Sequence, residues 1–107
     1  MRIAEYLSPR GHSPFSDWFN DLDATAAARI TSVLVRIGNG NRSGMKSVGQ
    51  GVYEWRIDTG PGYRIYFGRD GDEIVVLLGG GAKRRQQRDI EAAHRCWADY
   101  KERRSLR

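Results

Sequence analysis

From Gly51 to Phe67, GVYEWRIDTGPGYRIYF, the side chains alternate. Tyr53, Trp55 and Ile57 stand between Val52, Glu54, Arg56 and Asp58; beyond Thr59-Gly60-Pro61-Gly62, the residues Tyr63, Ile65 and Phe67 alternate with Arg64 and Tyr66. This is a β-hairpin with one apolar face and one face carrying Arg56 and Arg64. Because side chains repeat with period 2, both apolar faces meet only when paired residue numbers share parity. Two registers satisfy this. A three-residue loop sets Arg56 directly opposite Arg64, which like-charge repulsion disfavours unless an anion sits over the pair. A five-residue loop sets Arg64 opposite Asp58 and Arg56 opposite Tyr66, an ordinary salt-bridged surface.

Elsewhere the period is helical. Ser13 before Pro14 signals a helix start, with serine as N-cap and proline at the first helical position. Phe15, Trp18, Phe19 and Leu22 then form one apolar stripe. Asp23 caps a second helix, whose Ala27, Ile30, Val33, Leu34 and Ile37 repeat the spacing until Gly38-Asn39-Gly40. A last helix, Lys83 to Arg104, carries Ile90, Ala93, Trp97 and Tyr100 inward. Strands are expected at Arg2–Leu7, at Met45–Val48, and at Glu73–Leu78, where apolarity on both faces marks a central strand. Asp70-Gly71 reads as a type I′ hairpin turn. The order β, αα, ββββ, α predicts an α+β fold: two N-terminal helices packed on a twisted, mostly antiparallel sheet, with a C-terminal helix.

Length bounds this to one domain, residues 1–107. The longest apolar run, Ile74–Leu78, falls far short of the roughly 20 residues that cross a bilayer. The N-terminal MRIAEYLSPRGHS has no apolar core of signal-peptide length, and the chain reads as cytoplasmic. Cys96 is the only cysteine and His12 and His94 the only histidines, so neither a disulfide nor a recognisable metal-ligand spacing is available, and no cofactor is implied. The net charge of +5 is unevenly placed: residues 1–82 hold nine basic and nine acidic residues, whereas 83–107 hold nine basic and four acidic. Such a segment suits a polyanion or an acidic protein, and it also suits a plain solvated helix face.

Candidate chemistry follows these elements. Lys83, Arg84 and Arg85 stand at a helix start, where the macrodipole disfavours cations by about 0.3–1 kcal/mol each. Either that cost is tolerated or an anion sits there, held by exposed N–H groups and adjacent cations. Gly79-Gly80-Gly81 ahead of them lacks the spacing and the Lys-Ser/Thr pair of a phosphate loop. Trp18, Trp55 and Trp97 fall on apolar stripes and read as core. Tyr66 shares the arginine face, where it can stack on a base or donate a hydrogen bond. Glu54 shares it too, as a general base or, the favoured reading, as a salt-bridge partner.

Three segments, SPFSDWFNDLD at 13–23, GVYEWRIDTGPGYRIYF at 51–67 and VLLGGGAKRRQQRDIEAA at 76–93, together resemble the RelE/ParE toxin superfamily, in its HigB-like "addiction module killer protein" branch of type II toxin–antitoxin systems. The resemblance implies a RelE-like fold and a cytoplasmic toxin neutralised by a cognate antitoxin, expected to be a small helix-turn-helix protein. Relatives of the RelE type work on the ribosome as mRNA interferases, the 2′-hydroxyl attacking the neighbouring phosphate without a metal. Such a reaction needs the strand held in line and positive charge aimed at the phosphate. By the resemblance Arg64 is the strand arginine that supplies this charge, Arg56 a second basic position, Lys46 a basic residue on the preceding strand, and Lys83 a lysine after the glycines. Tyr66, Arg84, Arg85 and Glu54 complete the candidate substrate contacts. ParE-like relatives instead bind DNA gyrase without catalysis, and a basic RNA- or DNA-binding module is a third reading.

Overall fold

The computed structural model describes residues 1–106. It comprises strand β1 (Arg2–Glu5), helices α1 (Pro14–Phe19) and α2 (Ala24–Gly38), strands β2 (Met45–Ser47), β3 (Val52–Ile57), β4 (Tyr63–Asp70) and β5 (Ile74–Ala82), and helix α3 (Gln86–Ser105). The strands form one sheet in the order β1-β5-β4-β3-β2, with β1 parallel to β5 and the other neighbours antiparallel. The chain therefore opens on a strand. The expected pair of N-terminal helices is corrected to a connection between the sheet's two edge strands, β1 and β2.

Both helix starts follow from their caps. The Ser13 hydroxyl accepts from Ser16 N at 3.1 Å and donates to Glu5 Oε1, joining α1 to the end of β1. Asp23 Oδ1 accepts from Ala26 N at 2.8 Å, satisfying a donor that the first turn leaves orphaned.

Each face of the sheet carries its own core. On the first, Phe15, Ile30, Val33 and Ile37 join Trp55, Ile57, Ile65, Phe67, Val75 and Leu77. On the second, Ala93 and Trp97 of α3 join Tyr6, Val52, Tyr66, Val76 and Leu78. The alternation of β5 explains the division: Val75 and Leu77 point one way, Val76 and Leu78 the other. The face read as polar in the hairpin is thus roofed by α3 over much of its length.

Gly79, Gly80 and Gly81 are corrected from a loop at a helix start to the interior of β5. A bulge opposite Tyr66–Phe67 shifts the register there, so that Tyr66 faces Gly79 and Arg64 faces Gly81. A methyl group at Gly80 would collide with the Trp18 ring, and one at Gly81 with the Asp89 carboxylate, so the glycines let elements approach both faces of the strand. The last helix begins at Gln86 rather than Lys83; Lys83–Arg85 form a single 3₁₀ turn. The Asp70-Gly71 turn is also longer than expected. Asp70 pairs with Ile74, leaving three residues between, with Gly71 at φ 64°.

Trp97 rests on two more glycines. A methyl group at Gly68 would lie 2.5 Å from Trp97 Cε3, and one at Gly51 2.8 Å from its Nε1. Gly68→Ala is therefore expected to lift α3 from the sheet and cost about 1–3 kcal/mol through overpacking. Chemical denaturation checks this, with Trp97 fluorescence reporting the displaced helix; an unchanged midpoint would contradict it.

Candidate functional site: paired arginines around a buried carboxylate

In the β3–β4 hairpin, Arg56 pairs with Arg64, Trp55 with Ile65 and Ile57 with Tyr63. This is the register that puts the arginines face to face. Pairing stops at Ile57–Tyr63, however, so the connection Asp58–Gly62 is five residues long, not three. The anion that the like-charged pair requires comes from within the same strand. Glu54, two residues before Arg56 and on the same face, is 0% exposed. Its Oε1 accepts from Arg56 Nε at 3.0 Å, and its Oε2 lies 3.6 Å from Arg64 Nε. Oε2 also accepts from Gln86 Nε2 at 2.8 Å, so the first residue of α3 closes the cluster.

The two guanidiniums differ in access. The Arg56 side chain is 47% exposed, whereas Arg64 is 5% exposed as a residue, held under the roof with its Nε lacking any hydrogen bond of ordinary geometry among the described residues. Arg64 meets Lys83 across Gly62. A methyl group at Gly62 would lie 3.9 Å from Arg64 Nη1 and 3.5 Å from Lys83 Cβ, and Lys83 N donates to the Gly62 carbonyl at 2.7 Å. The absent side chain at Gly62 leaves space between the Arg64 guanidinium and the stem of Lys83. Lys46, exposed on edge strand β2, faces Glu54 in the ladder and therefore projects on the same side of the sheet. Arg84 and Arg85 are exposed on the 3₁₀ turn, and no side chain caps the start of α3.

Tyr66 is where the structure departs furthest from expectation. Its side chain is fully buried beneath α3, out of reach of any base, because the apolar roof of Ala93 and Trp97 extends over that row of the sheet. Burial, reinforced by the Glu54 charge, pushes its phenol well above the ordinary range, so it stays neutral. Two polar residues that the sequence reading missed belong to the cluster. Gln86 lies one turn ahead of Ile90 on the inward stripe of α3, and a polar residue on an apolar stripe is the signal that could have found it. Asp89 packs over Gly81, beside the Arg64 row, and its position depended on the unforeseen extension of β5.

Burial raises the Asp89 pKa above its ordinary 3.8, against the lowering pull of Arg85 and Arg88. The folded protein thus binds this proton more tightly than the unfolded chain does. Stability falls as the pH climbs from the unfolded value through the folded one. Asp89→Asn removes that loss. Its stability relative to the parent should rise as the pH climbs above the ordinary carboxyl value of 3.8, as read by urea melts; a constant difference would contradict the burial account.

A family model described as Phage derived protein Gp49-like (DUF891) matches residues 17–97, a span that holds every site residue described above. An uncharacterized protein of Haemophilus influenzae is 40% identical over 80 residues, covering 74% of this chain and 81% of that protein. Among the described residues no helix is long and apolar enough to cross a membrane. With strands β2 to β5, the start of the roofing helix and the arginine–glutamate cluster inside the matched span, the chain belongs to the Gp49-like phage-derived protein family.

Proposed function

We propose that this protein is the toxin of a toxin–antitoxin pair and that it acts as a ribosome-dependent mRNA endoribonuclease of the HigB-like kind. The observation that carries the reading is the facing Arg56–Arg64 pair, fixed by a buried carboxylate and opening beside Lys83. Two facing cations are costly in a sheet unless an anion compensates them. Glu54 compensates them from within the strand and leaves the half-exposed Arg56 guanidinium and the Gly62 side of Arg64 for a second anion. The family's association with toxin–antitoxin systems and its relation to RelE-like toxins support the same reading.

In the proposed reaction the substrate 2′-hydroxyl gives its proton to water as its oxygen attacks the adjacent phosphorus. The P–O bond to the 5′-oxygen of the following nucleotide breaks with that oxygen taking a proton from water, and a cyclic phosphate forms while charge grows on the phosphate oxygens. Arg64, immobilised by burial and by Glu54, aims charge at those oxygens without reorganising during the step. Lys83 approaches from the other side of Gly62. Arg56 and Lys46 hold the flanking backbone, Arg84 and Arg85 extend the cationic edge, and Glu54 and Gln86 fix the arginines. Tyr66 acts from beneath, as packing for Glu54. The antitoxin, a helix-turn-helix protein in this reading, neutralises the toxin by covering this end of the sheet.

One observation favours a second reading. Arg64 is nearly buried and already paired, as suits a structural cation in a non-catalytic toxin that binds gyrase. The order of events after induction separates them. Amino-acid incorporation should stop while plasmid supercoiling is unchanged; loss of supercoiling first would favour the gyrase reading.

A further inference from the structure

The four arginines of α3 fall into two groups. At the far end of α3, Arg103 Nη2 pairs with Asp99 Oδ2 at 2.8 Å, donates to the Leu7 carbonyl and sits 5.4 Å over the Tyr6 ring, while Arg104 pairs with Asp70. These two arginines clasp the helix to the Tyr6–Leu7 segment that follows β1 and to the end of β4. At the near end, Arg88 and Arg95 are exposed and make no ion pair or hydrogen bond among the described residues. Glu91 between them is engaged by Gln87 Nε2 at 3.2 Å instead. Arg88 and Arg95 are seven residues apart, two helical turns, and therefore share the side of α3 opposite Ala93 and Trp97, about 10 Å from one another along the axis.

We infer that this outward ridge of α3 is the track for the remainder of a bound single-stranded RNA, with Arg88 and Arg95 as its phosphate contacts and with Arg103 and Arg104 outside it. The inference rests on the ribonuclease reading of the adjoining site and extends it to a surface. Continuity supports it, because Lys83, Arg84 and Arg85 lead from Arg64 directly onto the ridge. Composition selects RNA over an acidic protein. The exposed large apolar residues, Met1, Leu7, Val35 and Leu106, all lie elsewhere, so the ridge offers two spaced cations, on either side of a Glu91 carboxylate hydrogen-bonded to Gln87, without the apolar centre that a protein interface buries. A phosphodiester backbone needs only the cations.

Two matched variants test this, Arg88→Gln/Arg95→Gln and Arg103→Gln/Arg104→Gln, each removing two positive charges from one helix. The probe is a single-stranded 2′-O-methyl RNA, which binds without being cut, read by fluorescence anisotropy at low and moderate salt. Each phosphate contact on a single strand contributes about 0.7 to the slope of log affinity against log salt. Between about 50 and about 200 mM salt the parent should therefore lose about sevenfold more affinity than Arg88→Gln/Arg95→Gln. Arg103→Gln/Arg104→Gln should keep the parent slope and melt at a lower temperature. An unchanged slope in the first variant, or equal flattening in both, would overturn the inference. So would an unchanged slope together with poly-glutamate binding that needs Arg88 and Arg95, which would assign the ridge to an acidic protein. Since chemistry is blocked in the probe, failure to cut transcripts in cells would remove the ribonuclease reading while this surface stood or fell separately.

Discussion

Replacing Glu54 by alanine is expected to destabilise the protein by about 3–5 kcal/mol, the cost of breaking a buried ion pair and leaving a charge behind. Arg64 is the charge left behind. Its 6% exposed side chain has Glu54 as its carboxylate partner, and it would face Arg56 across the ladder with nothing between them. Gln86 would lose its acceptor at the same time, loosening the start of α3. Replacing both members with apolar residues of similar volume, Glu54→Leu/Arg64→Met, is expected to be near neutral, because desolvating the pair offsets most of its attraction. Equilibrium denaturation of the two singles and the double measures this. A Glu54→Ala cost below about 1 kcal/mol would show that water already reaches the cluster.

The second large effect falls on activity. Arg64→Ala should lower transcript cleavage by about 100–1000-fold, the range for deleting one preorganised donor at a developing oxyanion. Its structural cost should be smaller than that of Glu54→Ala, and the geometry says why. Removing Arg64 leaves Glu54 with Arg56 at 3.0 Å and Gln86 at 2.8 Å, so no buried charge is stranded. Loss of growth arrest in Arg64→Ala with a near-parental melting temperature is the expected pattern. A folded Arg64→Ala chain that still arrests growth and cuts transcripts would contradict the role given to Arg64.

What the sequence made legible was local. The helix caps at Ser13 and Asp23, the alternation of the hairpin and the two-sided apolarity of Val75–Leu78 each follow from neighbouring residues, and they delimit most elements. Parity also narrowed the hairpin to two registers. Choosing between them depended on Glu54, whose carboxylate reaches both arginines only because Gln86 and α3 close over it, a tertiary fact. Tyr66 shows the same limit. Its place in the alternation puts it on the arginine face, but whether that face is wet depends on where α3 lands. The glycine run was misread for a related reason. Gly79–Gly81 looks like a breaker in isolation, and its value to the strand is visible only once Trp18 and Asp89 press on its two faces.

The central claim is that the cationic end of the sheet cuts RNA. Mapping transcript 5′ ends shortly after induction, with the parent chain and Arg64→Ala side by side, tests it most directly. The account predicts new 5′ ends within coding regions of translated messages for the parent and their disappearance for Arg64→Ala. Growth arrest by the parent chain without any new 5′ ends would contradict it.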